Sequence, residues 1–133
     1  MNKPICIECG SVARITTGRE VYPGHPQFHE KRYWKCPKCA DAYCGCHPGS
    51  TMPLGGPAGR KTREARAFAH GAFDTLWKSP SAEMSRSEAY QWLADEMGLP
   101  AAQCHIGMMT EQEAHRVAAL AERKIFSTLF DMD

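Results

Sequence analysis

The apolar positions change period along the chain. Val12–Thr17 and Phe28–Lys35 are rich in β-branched and aromatic side chains, which predicts two strands. Pro23, Gly24 and Pro26 break the stretch between them into a loop. Residues 40–59 hold five glycines and three prolines, and this predicts a longer loop.

From Arg60 the period becomes helical. Over Arg60–Lys78, the side chains Ala65, Phe68, Ala69, Ala72, Phe73, Leu76 and Trp77 recur at three- and four-residue spacing. That pattern predicts one buried face, with Arg66 at its edge. Ser85-Arg86-Ser87-Glu88 fits a capping box opening a helix to about Met97, with Gly98 placed at its C′ position and Pro100 beyond. Its apolar stripe is Ala89, Trp92, Leu93 and Met97. Thr110-Glu111-Gln112-Glu113 is a second capping box, opening a last helix with Ala114, Val117, Ala118, Ala121, Ile125 and Leu129 on one face. Leu120, Phe126 and Phe130 lie off that stripe, which fits either burial or a dimer contact.

The cysteines change this picture most. Cys6-Ile7-Glu8-Cys9 is followed, after 26 residues, by Cys36-Pro37-Lys38-Cys39. Two residues between cysteines let one tight turn present both sulfurs to a single ion, and two such turns complete a tetrahedral site. Gly10 follows the first knuckle, where a positive φ is often needed, and Pro37 sets φ in the second. The expected fold is therefore α+β: an N-terminal zinc ribbon, a β-hairpin with two CxxC knuckles, packed on about three α-helices. Residues 1–43 form the ribbon, 44–59 the Gly/Pro-rich loop and 60–133 the helical region, as one compact unit with the ribbon. The ligands are Cys6, Cys9, Cys36 and Cys39, holding one structural Zn2+. Four protein ligands leave no open position, so this site is not catalytic. So small a core needs the ion to fold.

Composition agrees. The chain has 133 residues, 43% hydrophobic and 23% charged, as a globular protein does. No apolar run approaches the ~20 residues that span a bilayer. Met1–Cys6 contains no signal-peptide core. A cytoplasmic protein without a membrane partner is expected. Seven cysteines, an odd number, point in a reducing cytosol to metal and not to a disulfide framework.

The net charge of +1 conceals an asymmetry. Residues 1–78 hold 12 Lys and Arg against 6 Asp and Glu, and residues 79–133 hold 4 against 9. A polyanion would dock on the first half; ordinary solvated surfaces are the alternative. The candidate contacts are Lys31, Arg32, Lys35, Lys38, Arg60, Lys61, Arg63 and Arg66. Tyr33 and Trp34 interleave with them and are candidates for stacking on bases or for burial in the hairpin.

A second group of residues carries metal chemistry. Cys44, Cys46 and His47 follow the ribbon, Arg66, His70 and Asp74 form a row at four-residue spacing, and Cys104-His105 lies between helices. If the fold brings them together, His47, His70, Asp74 and His105 form a candidate second metal site able to activate water. A hydrogen-bonded surface ladder and core packing explain the same residues.

The run Tyr33–Tyr43, then Gly45–Gly49 and Pro53-Leu54-Gly55, resembles a family of zinc-finger-containing proteins of bacteria and their phages. The resemblance continues through Arg63, Arg66, Ala69-His70, Phe73-Asp74 and Leu76-Trp77, and again at Arg86, Ala89-Tyr90, Trp92-Leu93-Ala94 and Cys104–Gly107. It covers roughly residues 5–120. It implies the ribbon, implies that ribbon and helices form one unit, and marks His47, Arg66, His70, Asp74 and His105 as family-pattern positions. The chain departs from the pattern at Cys44, where an apolar residue is usual, and at Thr62, where leucine is usual. The resemblance also implies a phage or prophage origin.

The leading functional reading is a non-enzymatic nucleic-acid-binding or accessory protein. One alternative is a protein-interaction module that modulates host or defence machinery. The other is a metal-dependent nuclease or hydrolase at the histidine cluster.

Overall fold

The computed structural model describes residues 3–130, with side chains as far as Ser127. The fold is α+β: three short strands near the N-terminus and the long helices after them. The chain divides into two compact units, Met1–Arg63 and Glu64–Asp133.

The first unit is built on an antiparallel sheet in the order β1-β2-β3, with β1 Arg14–Thr17, β2 Arg32–Lys35 and β3 Tyr43–Gly45. In the β1–β2 pair Ile15 faces Trp34 and Thr16 faces Tyr33. In the β2–β3 pair Trp34 faces Cys44 and Tyr33 faces Gly45. The connection from β1 to β2 contains a single-turn helix α1, Gly18–Val21, and a 3-10 turn at Pro26–Phe28. Gly18 is there because nothing larger fits: a Cβ at this position would lie 1.8 Å from the Phe28 carbonyl oxygen. Around it Tyr22 meets Phe28, Tyr33 and Tyr43 at ring distances of 5.3 to 5.6 Å, and the Tyr22 and Tyr43 hydroxyls lie 2.6 Å apart.

The Gly/Pro-rich segment differs from the loop its composition predicts. It contributes β3, and beyond it single bridges pair Cys46 with Pro53 and Tyr43 with Ala58. The pairing comes from the free edge of β2, so no local β-propensity is needed.

The second unit holds the rest of α2, Arg60–Lys78, together with α3, Arg86–Met97, and α4, Glu111–Phe130. Both capping boxes form. Ser85 accepts from the Glu88 N–H while the Glu88 carboxylate accepts from the Ser85 N–H; Thr110 and Glu113 do the same at 3.1 and 2.9 Å. Helix α3 stops at Gly98. The core gathers Phe73, Leu93, Ile106 and Val117, all at most 1% exposed, with Ala89, Ala114, Ala121 and Cys104.

The buried face of α2 is rotated from the predicted one. Thr62, Ala65, Arg66, Ala69, Phe73 and Leu76 are buried, whereas Phe68 is 60% exposed. Arg66 can take a core position because its Nε donates to the Met109 carbonyl at 2.8 Å, which satisfies part of its polarity where water cannot. On α4, Ala114, Val117, Ala118 and Ala121 are buried as the pattern predicts, and Phe126 is 62% exposed; the side chains of Leu129 and Phe130 lie outside the described residues. Among the described residues no helix is long and apolar enough to cross a membrane.

Candidate metal centre

The two CxxC knuckles converge. One ligand atom from each of Cys6, Cys9, Cys36 and Cys39 lies within 4.8 Å of every other, and the Cys9 and Cys36 sulfurs are 3.5 Å apart. A tetrahedral thiolate site with metal–sulfur bonds of about 2.3 Å sets sulfurs about 3.8 Å apart, so the quartet fits one ion. Cys6 and Cys36 are buried, Cys39 is half-buried and Cys9 is exposed.

Local geometry builds this arrangement. In the first knuckle the Gly10 N–H donates to the Cys6 carbonyl and the Cys6 N–H to the Ser11 carbonyl, both at 2.9 Å. Gly10 has φ of +80°, the left-handed conformation that the turn requires. In the second, the N–H groups of Lys38 and Cys39 point at the Cys36 sulfur, at 3.4 and 3.3 Å. Donors aimed at sulfur stabilise a thiolate. The Cys36 N–H donates to Ala42 across the turn, and Ala42 packs with Cys6 and Cys36 as a very small core.

The sulfurs are electrostatically frustrated without a cation. The hydrogen bond with the Ser11 side chain lowers the Cys9 thiol to about 6. The contact with the Cys9 sulfur in turn raises Cys39 to about 12, and burial pushes Cys6 up. Four adjacent thiols cannot all ionise by themselves; a bound divalent cation lets them.

The knuckles are tied to the segment that leads into α2. Glu8, inside the first knuckle, accepts from the Gly59 N–H at 2.7 Å, and the Ile7 N–H donates to the Pro57 carbonyl. Asp41, just after the second, accepts from the Arg60 N–H at 3.0 Å and pairs with Arg63 at 3.2 Å. The Arg63 guanidinium also donates to the Ala58 carbonyl and lies 3.9 Å from the Tyr43 ring centre.

The other predicted site residues fall as follows. Lys31, Arg32, Lys38, Arg60 and Lys61 are exposed and Lys35 is half-buried. Arg63 is engaged by Asp41, and Arg66 is only 8% exposed, so it belongs to the core of the second unit and not to a surface. Tyr33 and Trp34 are buried, at 8% and 4% exposure, and the Trp34 indole N–H donates to the Thr51 carbonyl at 2.7 Å. Of the two alternatives for these rings, stacking on bases or burial in the hairpin, the structure has burial. His47 lies in the first unit and His70, Asp74 and His105 in the second. His70 Nδ1 lies 3.2 Å from the Arg66 carbonyl, while Asp74 accepts from the Trp77 indole and pairs with Lys78. Those three form no group of converging ligands in their unit; the cysteine quartet is the one such group found among the described residues.

Sequence reasoning missed a cleft of about 930 Å³ beside β2 and β3. The signal for it in the sequence is the run His47-Pro48-Gly49-Ser50-Thr51, a turn dipeptide followed by two hydroxyls, directly after the ribbon.

A four-thiol centre formed by two knuckles beside a small sheet is the arrangement of a zinc-finger type of protein. The chain belongs to the zinc-finger-containing domain family DUF3268, whose pattern matches residues 2–124. No curated protein and no solved structure matches the chain.

Proposed function

We propose that the protein is a zinc-stabilised, non-enzymatic nucleic-acid-binding or accessory protein of phage or prophage type, acting in the cytoplasm. Four thiolates in tetrahedral array suit Zn2+ among the available divalent ions. They would fill its coordination shell, so the ion serves as a scaffold.

The observation that carries the binding role is the charge of the metal-bearing unit. Residues 1–63 hold 10 Lys and Arg against 4 Asp and Glu, while residues 64–133 hold 6 against 11. Lys31, Arg32, Lys38, Arg60 and Lys61 are exposed and Lys35 is half-buried on the basic unit. Such cations displace counterions from a phosphate backbone, which makes affinity fall with salt. The test is fluorescence anisotropy of a labelled oligonucleotide between ~50 and ~200 mM salt. Six phosphate contacts would cost about a thousandfold in affinity over that range. Affinity that stays flat contradicts the proposal.

One observation favours the second reading, a module that binds a host or phage protein. Phe126 remains 62% exposed on the last helix. On that reading Phe126→Ser abolishes partner capture and leaves oligonucleotide affinity unchanged.

A further inference from the structure

We infer that the cleft beside β2 and β3 receives one unpaired nucleotide of a single strand, with phosphate on Lys31 and Arg32 and the base against Leu54. This rests on the nucleic-acid reading above and names the place on the first unit where recognition occurs.

The cleft measures about 930 Å³, within the range of small-ligand sites. Its lining combines three chemistries. Lys31 and Arg32 bring positive charge, His47, Ser50 and Thr51 bring imidazole and hydroxyl groups, and Leu54, 57% exposed, brings an apolar side chain. Arg32 makes no ion pair among the described residues. The one carboxylate in the lining, Glu30, is held by Arg19, so the cations are not neutralised from within. Cations, an apolar side chain, and hydroxyl and imidazole groups lining one cleft match the parts of a nucleotide: phosphate, ring face and polar edge.

The site is also built before any ligand arrives. The His47 N–H donates to the Met52 carbonyl and the Leu54 N–H to the Gly45 carbonyl, both at 2.9 Å. Cys46 pairs with Pro53. The buried Trp34 indole N–H donates to the Thr51 carbonyl at 2.7 Å and holds it in place. The Ser50 hydroxyl accepts from the Met52 N–H at 2.8 Å, which leaves its own proton to donate. A rigid arch lowers the entropy cost of binding. A concave site reaches a base only when that base is unstacked, which selects a single strand over a duplex.

The experiment uses the full zinc-loaded chain, a labelled ten-nucleotide single-stranded DNA of mixed sequence, and the same sequence as a duplex. Anisotropy is read across a salt series. Wild type is expected to prefer the single strand. Leu54→Ala lowers single-strand affinity about tenfold with an unchanged salt slope, because the lost contact is to a base. Arg32→Ala lowers affinity and reduces the salt slope by about one. Both side chains are exposed, and equal zinc content confirms that each variant is folded. Single-strand affinity unchanged in both variants overturns the inference while leaving the broader reading intact. Absence of any wild-type binding overturns that broader reading itself.

Discussion

The Glu8 carboxylate accepts the Gly59 backbone N–H at 2.7 Å, across 51 residues of sequence. Glu8 stands between two candidate metal ligands, and Gly59 immediately precedes α2. The knuckle therefore fixes more than the ion: it anchors the segment that closes the first unit. Glu8→Ala should destabilise that unit by about 1 kcal/mol, the worth of one such hydrogen bond. Zinc should stay bound, since no ligand is lost. Faster amide exchange at Gly59 with unchanged metal content is the expected result.

Removing the metal should affect the two units differently. In the first, only the small Cys6, Cys36 and Ala42 cluster surrounds the candidate site, and the other packing is a few rings around Tyr22 and Tyr33, whereas the second has a continuous core through Phe73, Leu93, Ile106 and Val117. Chelation should melt residues 3–63 and leave the core amides of α3 and α4 protected, as followed by hydrogen exchange. Loss of protection in both units at the same chelator concentration would show that the second depends on the first.

Gly18→Ala tests the turn between β1 and β2. The added methyl would sit 1.8 Å from the Phe28 carbonyl oxygen, and backbone on both sides leaves little room to relax. A cost of about 1–3 kcal/mol is expected, as for overpacking elsewhere, read as a lower midpoint in denaturant. A neutral variant would mean that the turn is looser than described.

The capping box on α3 predicts a pH dependence. The Ser85 backbone N–H holds the Glu88 carboxyl below its ordinary value of 4.5. A carboxylate with a depressed folded value contributes stability that is full above that ordinary value. The contribution is lost as pH falls below it, through the depressed value. The second unit should therefore weaken in acid below about pH 4.5. Glu88→Gln keeps an acceptor without the titration, so its acid dependence should be flatter. Thermal melts of α3 residues by NMR between neutral and acid pH supply the measurement; parallel curves for the two proteins would contradict it.

Much of this was legible in the sequence, for identifiable reasons. The knuckles are local, since Cys6–Cys9 and Cys36–Cys39 each lie within one turn, and their convergence follows from valence. The capping boxes at Ser85 and Thr110 are three-residue interactions, so spacing alone reveals them. What escaped depends on distant partners. Arg66 is buried because a carbonyl 43 residues away accepts its proton, and no periodicity within α2 encodes that. Phe68 is exposed because the core contacts lie elsewhere on the helix. Strand β3 exists because β2 offers it an edge, although Tyr43-Cys44-Gly45 has few strand formers. The cleft arises from hydrogen bonds that fold residues 46–54 into an arch, again a product of pairing across the chain.

The central claim is that Cys6, Cys9, Cys36 and Cys39 hold one structural zinc ion. Elemental analysis of the purified chain, in wild type and in Cys36→Ser, tests it most directly. Cys36 is fully buried and accepts two backbone N–H groups, so the substitution removes a ligand that the second knuckle holds in place. The account predicts one equivalent of zinc per chain in wild type and a loss of zinc, with unfolding of the first unit, in the variant. A wild-type chain that folds without metal, or a variant that keeps a full equivalent of zinc, would contradict it.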